Sequence, residues 1–230
     1  MNFKKPNIFV CGPSGTGKSS SLRNLDPERT VILNVERKQL PFRRAGLFKR
    51  QKFISSLKEF DHYLNLSMQS DTVDVIIIES FTSLAEMIML ESKKSKRGYE
   101  VFNWYADEIM RIISLSKNSD KYIVFLGIDE SNSDEEGVSS KQVKVEGQKL
   151  KGVIEKEFVI VLYTVVKKDK EKPEHFFLTN SDGVRTAKSP MEMLDYYIPN
   201  DLAEVIKRAE EYYLGADLYE EQKKAISEVA

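Results

Sequence analysis

The chain has 230 residues, of which 41% are hydrophobic and 31% are charged, and its formal net charge is −1. These values predict one soluble domain with a core of its own. No apolar run approaches the ~20 residues that a membrane-spanning helix needs. The first residues lack the apolar stretch of a signal peptide, and a single cysteine, Cys11, excludes an internal disulfide. Two histidines and one cysteine disfavour a zinc site, and we expect a cytoplasmic protein with no membrane partner.

Along the chain, short apolar runs alternate with segments of helical character. The runs predict strands at residues 7–11, 30–35, 73–79, 121–128 and 157–166, and the segments between them predict helices at 18–25, 54–66, 82–93 and 100–117. The strand at 73–79 is apolar on both faces, which is typical of a parallel sheet that helices cover on both sides. The predicted fold class is therefore α/β, with a central, mainly parallel sheet flanked by helices.

The later part of the chain interrupts this alternation. Residues 131–152 are polar and too long for an ordinary connection, so they predict either a mobile functional loop or a small ribbon. Residues 174–188 predict a hairpin with its turn at 181–183. Helices are predicted from about 200 to 214 and over 217–229. The expected organisation is one domain over residues 1–199 and a C-terminal helical appendage over 200–230.

The segment between the first strand and the first helix carries the most specific motif. It reads GPSGTGKS, a complete match to the phosphate-binding pattern G-x-x-x-x-G-K-[ST]. Its glycines allow the backbone N–H groups to curl around a phosphate, and the following helix adds positive partial charge. We expect ATP and Mg²⁺ as ligands, with Lys18 on the β- and γ-phosphates and Ser19 on the metal. The predicted nucleotide-binding residues are Gly12, Pro13, Ser14, Gly15, Thr16, Gly17, Lys18, Ser19 and Ser20.

Two acidic residues end predicted strands, where the ligand crevice of an open α/β sheet lies. Glu79 ends the third strand and is predicted to hold Mg²⁺ through a water molecule. Glu36 ends the second strand and is the candidate general base. With Lys18 they form the predicted catalytic set. The alternatives are a structural salt bridge for Glu79 and a solvent-facing strand end for Glu36. Asp129 and Glu130, which end the fourth strand, are weaker candidates for sensing the γ-phosphate.

Positive charge is concentrated in the first quarter of the chain. Residues 1–58 hold 13 Lys and Arg against 3 Asp and Glu, and residues 37–58 contain no acid at all. Basic residues interleaved with Phe42, Phe48 and Phe53 suit single-stranded nucleic acid, because cations neutralise phosphates and aromatic rings stack on bases. The alternative is that the phenylalanines belong to the core and the cations to a solvated rim. The DNA-binding candidates from this segment and from 131–152 are Arg43, Arg44, Lys49, Arg50, Lys141, Lys144, Lys149 and Lys151.

The motifs together resemble a known family. GPSGTGKS, a strand ending in Glu36, and IIIES followed by Phe81 and Thr82 resemble the RecA-type ATPase core. With the segments at 149–152, 186–190 and 200–202, the chain more closely resembles the phage nucleotide-binding proteins of the Sak-type single-strand-annealing ATPases. The resemblance covers about residues 5–214.

The resemblance implies ATP hydrolysis, self-association as a ring or filament, and action on single-stranded DNA in phage recombination or replication. A phage single-strand-binding or replication protein is the implied candidate partner. The resemblance also implies that Glu36 is the catalytic glutamate and Glu79 the metal-organising acid. Lys188, with Arg185, is implied to reach the γ-phosphate of a neighbouring subunit.

Two other functions fit the phosphate-binding motif. One is a kinase of nucleosides or nucleotides, which needs a mobile lid carrying arginines; residues 131–152 contain no arginine. The other is a non-catalytic nucleotide switch or loader, with the acidic C-terminal region as a partner-binding surface.

Overall fold

An eight-stranded sheet forms the centre of the computed structural model, which describes residues 4–133, 139–168 and 172–215. Within these ranges the strands are β1 (Ile8–Cys11), β2 (Thr30–Asn34), β3 (Gln51–Phe53), β4 (Val75–Glu79), β5 (Tyr122–Gly127), β6 (Asp129–Ser133), β7 (Ser139–Val143), β8 (Ile160–Lys167), β9 (Glu174–Leu178) and β10 (Tyr197–Pro199). The α-helices are α1 (Leu57–Met68), α2 (Phe81–Ser95), α3 (Glu100–Lys117) and α4 (Leu202–Leu214).

The strand order across the sheet is β10-β9-β8-β1-β5-β4-β2-β3. From β8 to β3 every neighbouring pair is parallel, and only β9 runs antiparallel, to both β8 and β10. Strand β2, which follows β1 in the chain, lies on one side of β1 in the sheet. The later strand β8 lies on the other side of β1. A ligand crevice is expected where the strand order reverses in this way, at the carboxyl ends of the strands.

Both faces of the sheet are buried because successive strand residues point to opposite sides. On one side Phe9, Ile78 and Phe125 pack with residues of α1, α2 and α3. On the other side Val10 and Ile77 pack with Leu22 and with Leu202 and Val205 of α4. The predicted α/β class, with a mainly parallel sheet flanked by helices, is confirmed.

The predicted strands and helices appear with small differences at their ends. The segment predicted as a helix at 18–25 is a 3₁₀-helix, Ser19–Asn24. The second α-helix begins at Phe81, where Ser80 caps it by accepting a hydrogen bond from the Ser83 N–H. The final predicted helix, at 217–229, lies outside the described residues. No helix in the described ranges is long and apolar enough to cross a bilayer.

The predicted hairpin at 174–188 is wrong in its second strand. The first strand forms as β9, but its partners are β8 and β10. Residues 184–188 turn away because Asp182 Oδ1 accepts hydrogen bonds from the N–H groups of Val184 and Arg185. The backbone of Lys188 then exchanges hydrogen bonds of 2.8 and 2.9 Å with Val161. Local turn chemistry therefore directs this segment to a strand that is distant in sequence.

Of the two predictions for residues 131–152, the ribbon is the one that the described residues form. Strands β6 and β7 pair antiparallel as a separate two-stranded sheet. The ribbon is attached to the core by Glu155, whose buried Oε1 accepts hydrogen bonds from the Val143 N–H and from Thr186 Oγ1. It therefore leaves the sheet directly after β5, next to the carboxyl ends of the central strands.

An aromatic cluster lies on the side of the sheet that α1, α2 and α3 cover. The ring of Phe9 packs edge-on against Phe81 at 5.3 Å and against Phe158 at 5.1 Å, and lies parallel to Phe125 at 6.3 Å. The same ring fills the space beside Gly127, where an added Cβ would approach it to 2.6 Å. Phe9 thereby connects β1, which leads into the phosphate-binding motif, to β5 and α2.

We predict that Phe9→Ala lowers the free energy of unfolding by about 3–5 kcal/mol, because it removes a fully buried ring and leaves a cavity. Phe53→Ala is the matched control: its ring is 54% exposed, and its loss is expected to change stability by no more than about 0.5 kcal/mol. Urea denaturation of both variants measures the difference. Equal effects of the two substitutions would contradict this account of the core.

Candidate functional site

The phosphate-binding motif forms a curled loop between β1 and the 3₁₀-helix. Gly12, Gly15 and Gly17 have positive φ angles of 149°, 79° and 105°, a conformation that glycine adopts without the cost of a Cβ. At Gly12 a side chain is also excluded by space, because a Cβ would lie 2.1 Å from Thr164 Oγ1 on β8. The loop is therefore held against the neighbouring strand and curls over the carboxyl end of β1.

Lys18 lies over this loop. Its Nζ donates hydrogen bonds to the carbonyl oxygens of Gly12 at 2.7 Å and Pro13 at 2.8 Å. Burial lowers the pKa of Lys18, while the nearby acids Glu79 and Asp129 oppose that change. The ammonium group is thus partly removed from water and close to acidic groups, where its charge acts strongly on an anion in the cleft.

Ser19 and Glu79 are brought together by the ends of two different strands. Ser19 follows the loop, Glu79 ends β4, and Ser19 Oγ donates a hydrogen bond to Glu79 Oε1 at 2.9 Å. Glu79 is only 7% exposed, and its Oε2 has no hydrogen-bond partner among the described residues. Burial raises the pKa of this carboxyl to about 7, against the Ser19 hydrogen bond, and the charge of Glu36 contributes in the same direction.

Glu36 lies beside Glu79 because β2 and β4 are neighbours. The N–H groups of Val35 and Glu36 both donate to the carbonyl oxygen of Glu79, at 2.6 and 3.2 Å. The Glu36 carboxylate accepts a hydrogen bond from Ser80 Oγ at 3.1 Å and pairs with Lys38 Nζ at 3.2 Å. Its side chain is 24% exposed, so Glu36 remains accessible to water, unlike Glu79.

These groups line one cleft of about 400 Å³ at the carboxyl ends of the strands. The lining residues are Ser14, Gly15, Gly17, Lys18, Ser19, Ser20, Glu36, Lys38, Pro41, Glu79, Ile128 and His175. Most of the predicted nucleotide-binding and catalytic residues are therefore in one place. Pro13 and Thr16 do not line the cleft; they hold the loop, because Pro13 O accepts hydrogen bonds from both Lys18 Nζ and Thr16 Oγ1.

The oxygen atoms of the cleft fit a magnesium ion that also binds phosphates. Magnesium prefers one or two protein oxygen ligands together with water and substrate phosphates. Ser19 Oγ and the unpaired, buried Oε2 of Glu79 supply such oxygens side by side. Among the described residues, no group of three or more His, Cys, Asp and Glu side chains forms a protein-only metal site. The site is therefore suited to a metal that arrives with its nucleotide.

The predicted DNA-binding residues lie on two separate surfaces. Arg43, Arg44 and Lys49 are exposed and form no ion pair with any described residue. Arg50, in contrast, donates hydrogen bonds to the carbonyl and hydroxyl oxygens of Thr72. On the ribbon side, Lys141 pairs with Asp129 at 3.2 Å and Lys149 with Asp107 at 3.2 Å, Lys144 is exposed and Lys151 is half-buried.

The interleaved phenylalanines divide between core and surface. Phe48 is buried and packs edge-on against Phe42 at 5.6 Å. Both rings belong to the apolar layer on the side of the sheet that α4 covers. Phe53 is exposed on β3, at the edge of the sheet. The alternative that the phenylalanines belong to the core therefore holds for Phe42 and Phe48. Phe53 remains available for a ligand.

Lys188 and Arg185 do not line the cleft of their own chain. Lys188 is paired with Val161, near the amino end of β8 and away from the carboxyl ends that form the cleft, and burial lowers the pKa of Lys188. Arg185 forms an ion pair with Asp182. Asp129, a weaker candidate, is also engaged, since its carboxylate pairs with Lys141. A role for Lys188 and Arg185 in a neighbouring subunit stays a prediction.

Three residues at the phosphate-binding loop were not found from the sequence. Thr164 of β8 lies 2.5 Å from Thr16 through their hydroxyl oxygens, His175 Nδ1 lies 2.9 Å from the Thr16 carbonyl oxygen, and Asn200 packs against Gly17. They follow the motif by about 150 residues or more, and no local pattern marks them. Only the positions of β8 and β9 beside β1 bring them to the loop.

Comparisons with known proteins agree with this architecture. The family model described as an AAA domain matches residues 4–191, which is most of the chain. The chain belongs to the AAA domain family. No curated protein matches this AAA domain protein. Among solved structures it is similar to the KaiC-like protein PH0186 of the hyperthermophilic archaeon Pyrococcus horikoshii OT3, with 12% identity, a TM-score of 0.47, and coverage of 75% of this chain and 78% of that chain. The match to the AAA domain model and the GPSGTGKS loop together show the nucleotide-binding fold of a P-loop ATPase.

We predict that Glu79 makes the stability of this AAA domain protein depend on pH. Burial raises the pKa of Glu79 from 4.5 to about 7, so between these values the unfolded chain releases a proton that the folded chain keeps. Stability therefore declines as pH rises through that window, by at most about 3 kcal/mol. Glu79→Gln removes the dependence, and its stability relative to the wild type is expected to rise by that amount between pH 4.5 and 8.

Urea denaturation at several pH values, without nucleotide or Mg²⁺, measures this effect. The control is Glu91→Gln, which changes a half-exposed carboxylate on α2 outside the cleft and is expected to keep the decline in stability seen in the wild type. A stability difference between wild type and Glu79→Gln that stayed constant with pH would contradict the assignment.

Proposed function

We propose that this chain binds ATP with Mg²⁺ and hydrolyses it, and that single-stranded DNA is the polymer on which it acts. One observation carries the first part. Two carboxylates lie beside the phosphate-binding loop, Glu79 at the end of β4 and Glu36 just after the adjacent parallel strand β2, and their surroundings differ. The difference supports two separate roles, since hydrolysis needs one group to organise the metal and another to activate water.

Glu79 fits the metal-organising role. It is buried and hydrogen-bonded to Ser19, the residue whose hydroxyl ligates the metal in the phosphate-binding motif. When bound, Mg²⁺ neutralises charge on the β- and γ-phosphate oxygens. Glu79 and Ser19 would hold the ion, while Lys18 would supply a positive charge from the loop side.

Glu36 fits the role of general base. It makes no hydrogen bond to the loop, it is reachable by water, and Ser80 Oγ and Lys38 Nζ fix its two oxygens. A carboxylate held in this way can accept a proton from a water molecule that attacks the γ-phosphate. Because Ser80 also caps α2, one of the two contacts that orient Glu36 comes from a rigid element.

The basic surface supports single-stranded DNA as the polymer. The segment that we call the basic strap, residues 37–50, begins next to Glu36, lines the cleft with Lys38 and Pro41, and then carries the exposed Arg43, Arg44 and Lys49. Leu40 and Phe48 anchor it in the core. A change at the γ-phosphate is therefore connected through one short segment to the cations that would contact phosphates of DNA. This continuity supports coupling between ATP turnover and DNA binding.

The narrower assignment, to phage ATPases that anneal single strands in recombination or replication, rests on the resemblance of the same motifs and stays a prediction. Self-association, a phage partner protein and a cytoplasmic location are likewise predictions. The kinase alternative has no specific observation in its favour. The switch alternative differs from our proposal in one measurable respect, which is the absence of hydrolysis.

We expect Glu36→Gln to bind ATP with about the wild-type affinity but to lower kcat by about 10²- to 10⁴-fold, because it removes a proton acceptor and keeps the shape. Lys18→Ala is expected to lose ATP binding. Calorimetry with ATP and Mg²⁺ and release of phosphate measure the two effects. Glu28→Gln, at an exposed glutamate after the 3₁₀-helix, is the control and should match the wild type. A wild type that bound ATP without turnover would favour the nucleotide switch.

We expect the triple variant Arg43→Ala, Arg44→Ala, Lys49→Ala to bind single-stranded DNA more weakly and to reduce the slope of log K against log[salt] by about 2, since each lost contact with a single strand removes about 0.7. The control with equal charge removal is Lys156→Ala, Lys207→Ala, Arg208→Ala, at exposed positions elsewhere. Fluorescence anisotropy of a labelled oligonucleotide at several salt concentrations measures both. Equal salt slopes for the two triple variants would contradict DNA binding at the basic strap, and ATP turnover indifferent to DNA would contradict the coupling.

A further inference from the structure

His175 is a cleft residue that the hydrolysis reaction does not use. It lies on β9, paired with Val166 of β8, and its Nδ1 is 2.9 Å from the carbonyl oxygen of Thr16 in the phosphate-binding loop. A carbonyl oxygen can only accept a hydrogen bond, so Nδ1 carries the proton and donates it. The ring is therefore fixed by the loop on one side and lines the cleft that holds the loop glycines.

We propose that His175 is a positioning residue that sets the affinity for the triphosphate by holding the phosphate-binding loop in its curled form. This inference rests on the proposed ATP-binding function and names a residue that controls it from outside the motif. The hydrogen bond to Thr16 acts on the middle of the loop, between the glycines whose conformation directs the N–H groups inward.

Thr16 is held on its other side as well, which limits the shapes that the loop can take. Its hydroxyl donates to Pro13 O at 2.7 Å. The same hydroxyl shares a hydrogen bond of 2.5 Å with Thr164 Oγ1, in which either threonine can be the donor. The side chain of Thr16 is therefore fixed by β8 and its carbonyl by β9. Removing the β9 contact leaves only one of the two supports.

The next residue, Gly17, is confined by the same groups. A Cβ at this position would lie 3.0 Å from His175 Nδ1 and 3.3 Å from Asn200 Oδ1. Asn200 is buried, its N–H donates to the carbonyl oxygen of His175, and its own carbonyl accepts from Arg23 of the 3₁₀-helix. His175 thus belongs to a rigid unit that joins β9, the start of α4 and the helix after the loop.

A positioning role predicts an effect on binding without an effect on the reaction itself. A loop with its N–H groups less well directed binds the phosphates more weakly, while Glu36 and Glu79 remain in place beside the ends of β2 and β4. With a single neutral hydrogen bond removed, we expect the Kd for ATP to rise about 3- to 10-fold. The value of kcat at saturating ATP should stay within about twofold of the wild type.

The test compares two substitutions of His175, one that removes the hydrogen-bond donor and one that keeps a donor but reduces the side-chain volume. His175→Leu fills the space without a donor, and His175→Asn keeps an amide N–H at the position of Nδ1 with less volume. His175→Leu is expected to show the raised Kd, and His175→Asn to restore binding to within about twofold of the wild type. His62→Asn, at the only other histidine of the chain and an exposed position on α1, is the matched control. Calorimetry gives Kd, phosphate release gives kcat, and melting temperatures are compared alongside.

A second measurement does not depend on the variants folding. Long-range ¹H–¹⁵N spectra of the wild type, assigned with His62→Asn, report which ring nitrogen of His175 carries the proton. The Nδ1–H form supports the proposal, and the Nε2–H form overturns it, because Nδ1 would then have no proton to donate. Wild-type affinity in His175→Leu, tighter binding by His175→Leu than by His175→Asn, or a fall in kcat with unchanged Kd would also overturn it. If the wild type itself bound no ATP, the proposed function would fail first, and that result is distinct from all of these.

Discussion

Parallel pairing of the central strands aligns their carboxyl ends at one edge of the sheet, and the candidate site depends on that alignment. Asn34 lies opposite Glu79, Glu79 lies opposite Leu126, and Cys11 lies between Gly127 and Tyr163. The register places the phosphate-binding loop, both carboxylates and the start of the ribbon at the same height. A shift of one residue in the pairing of β4 with β2 and β5 would turn Glu79 toward the opposite face. The buried Phe9 cluster and the apolar layers on both faces are what hold the register.

Charged groups at this edge are gathered in one place, and the buried Glu79 is only partly hydrogen-bonded by the described residues. Glu79 is buried with one unpaired oxygen, and a second carboxylate lies on the adjacent strand. The ammonium group of Lys18 is partly buried, and it donates hydrogen bonds to carbonyl oxygens of its own loop. Such an arrangement costs stability in the free protein, and a ligand that carries both phosphate oxygens and a cation, as in our proposal, would compensate that cost. Perturbed groups of this kind, gathered in one cleft, are typical of functional sites.

Elements from the second half of the chain support a site whose motif lies in the first half. Strand β8 contributes Thr164 against Gly12, β9 contributes His175 against Thr16, and α4 packs on the 3₁₀-helix that follows the loop. Arg23 and Asn24 of that 3₁₀-helix bond to Asn200 and Asp201 at the start of α4. Residues 200–214 therefore support the nucleotide site directly.

The sequence by itself determined the fold class, the positions of most strands and helices, and the loop with Lys18, Ser19, Glu36 and Glu79 near it. These features are local, because apolar periodicity and a contiguous motif depend only on residues that are close in sequence. The carboxyl ends of parallel strands lie at one edge of the sheet whatever the strand order is. The partners of β9, the separation of the basic residues into free and paired ones, and the support of the loop by Thr164, His175 and Asn200 were decided only by the tertiary structure. Each depends on contacts between segments far apart in the chain. Their geometry follows from strand order and packing, because hydrogen-bonding capacity in a sequence does not specify which distant group will satisfy it.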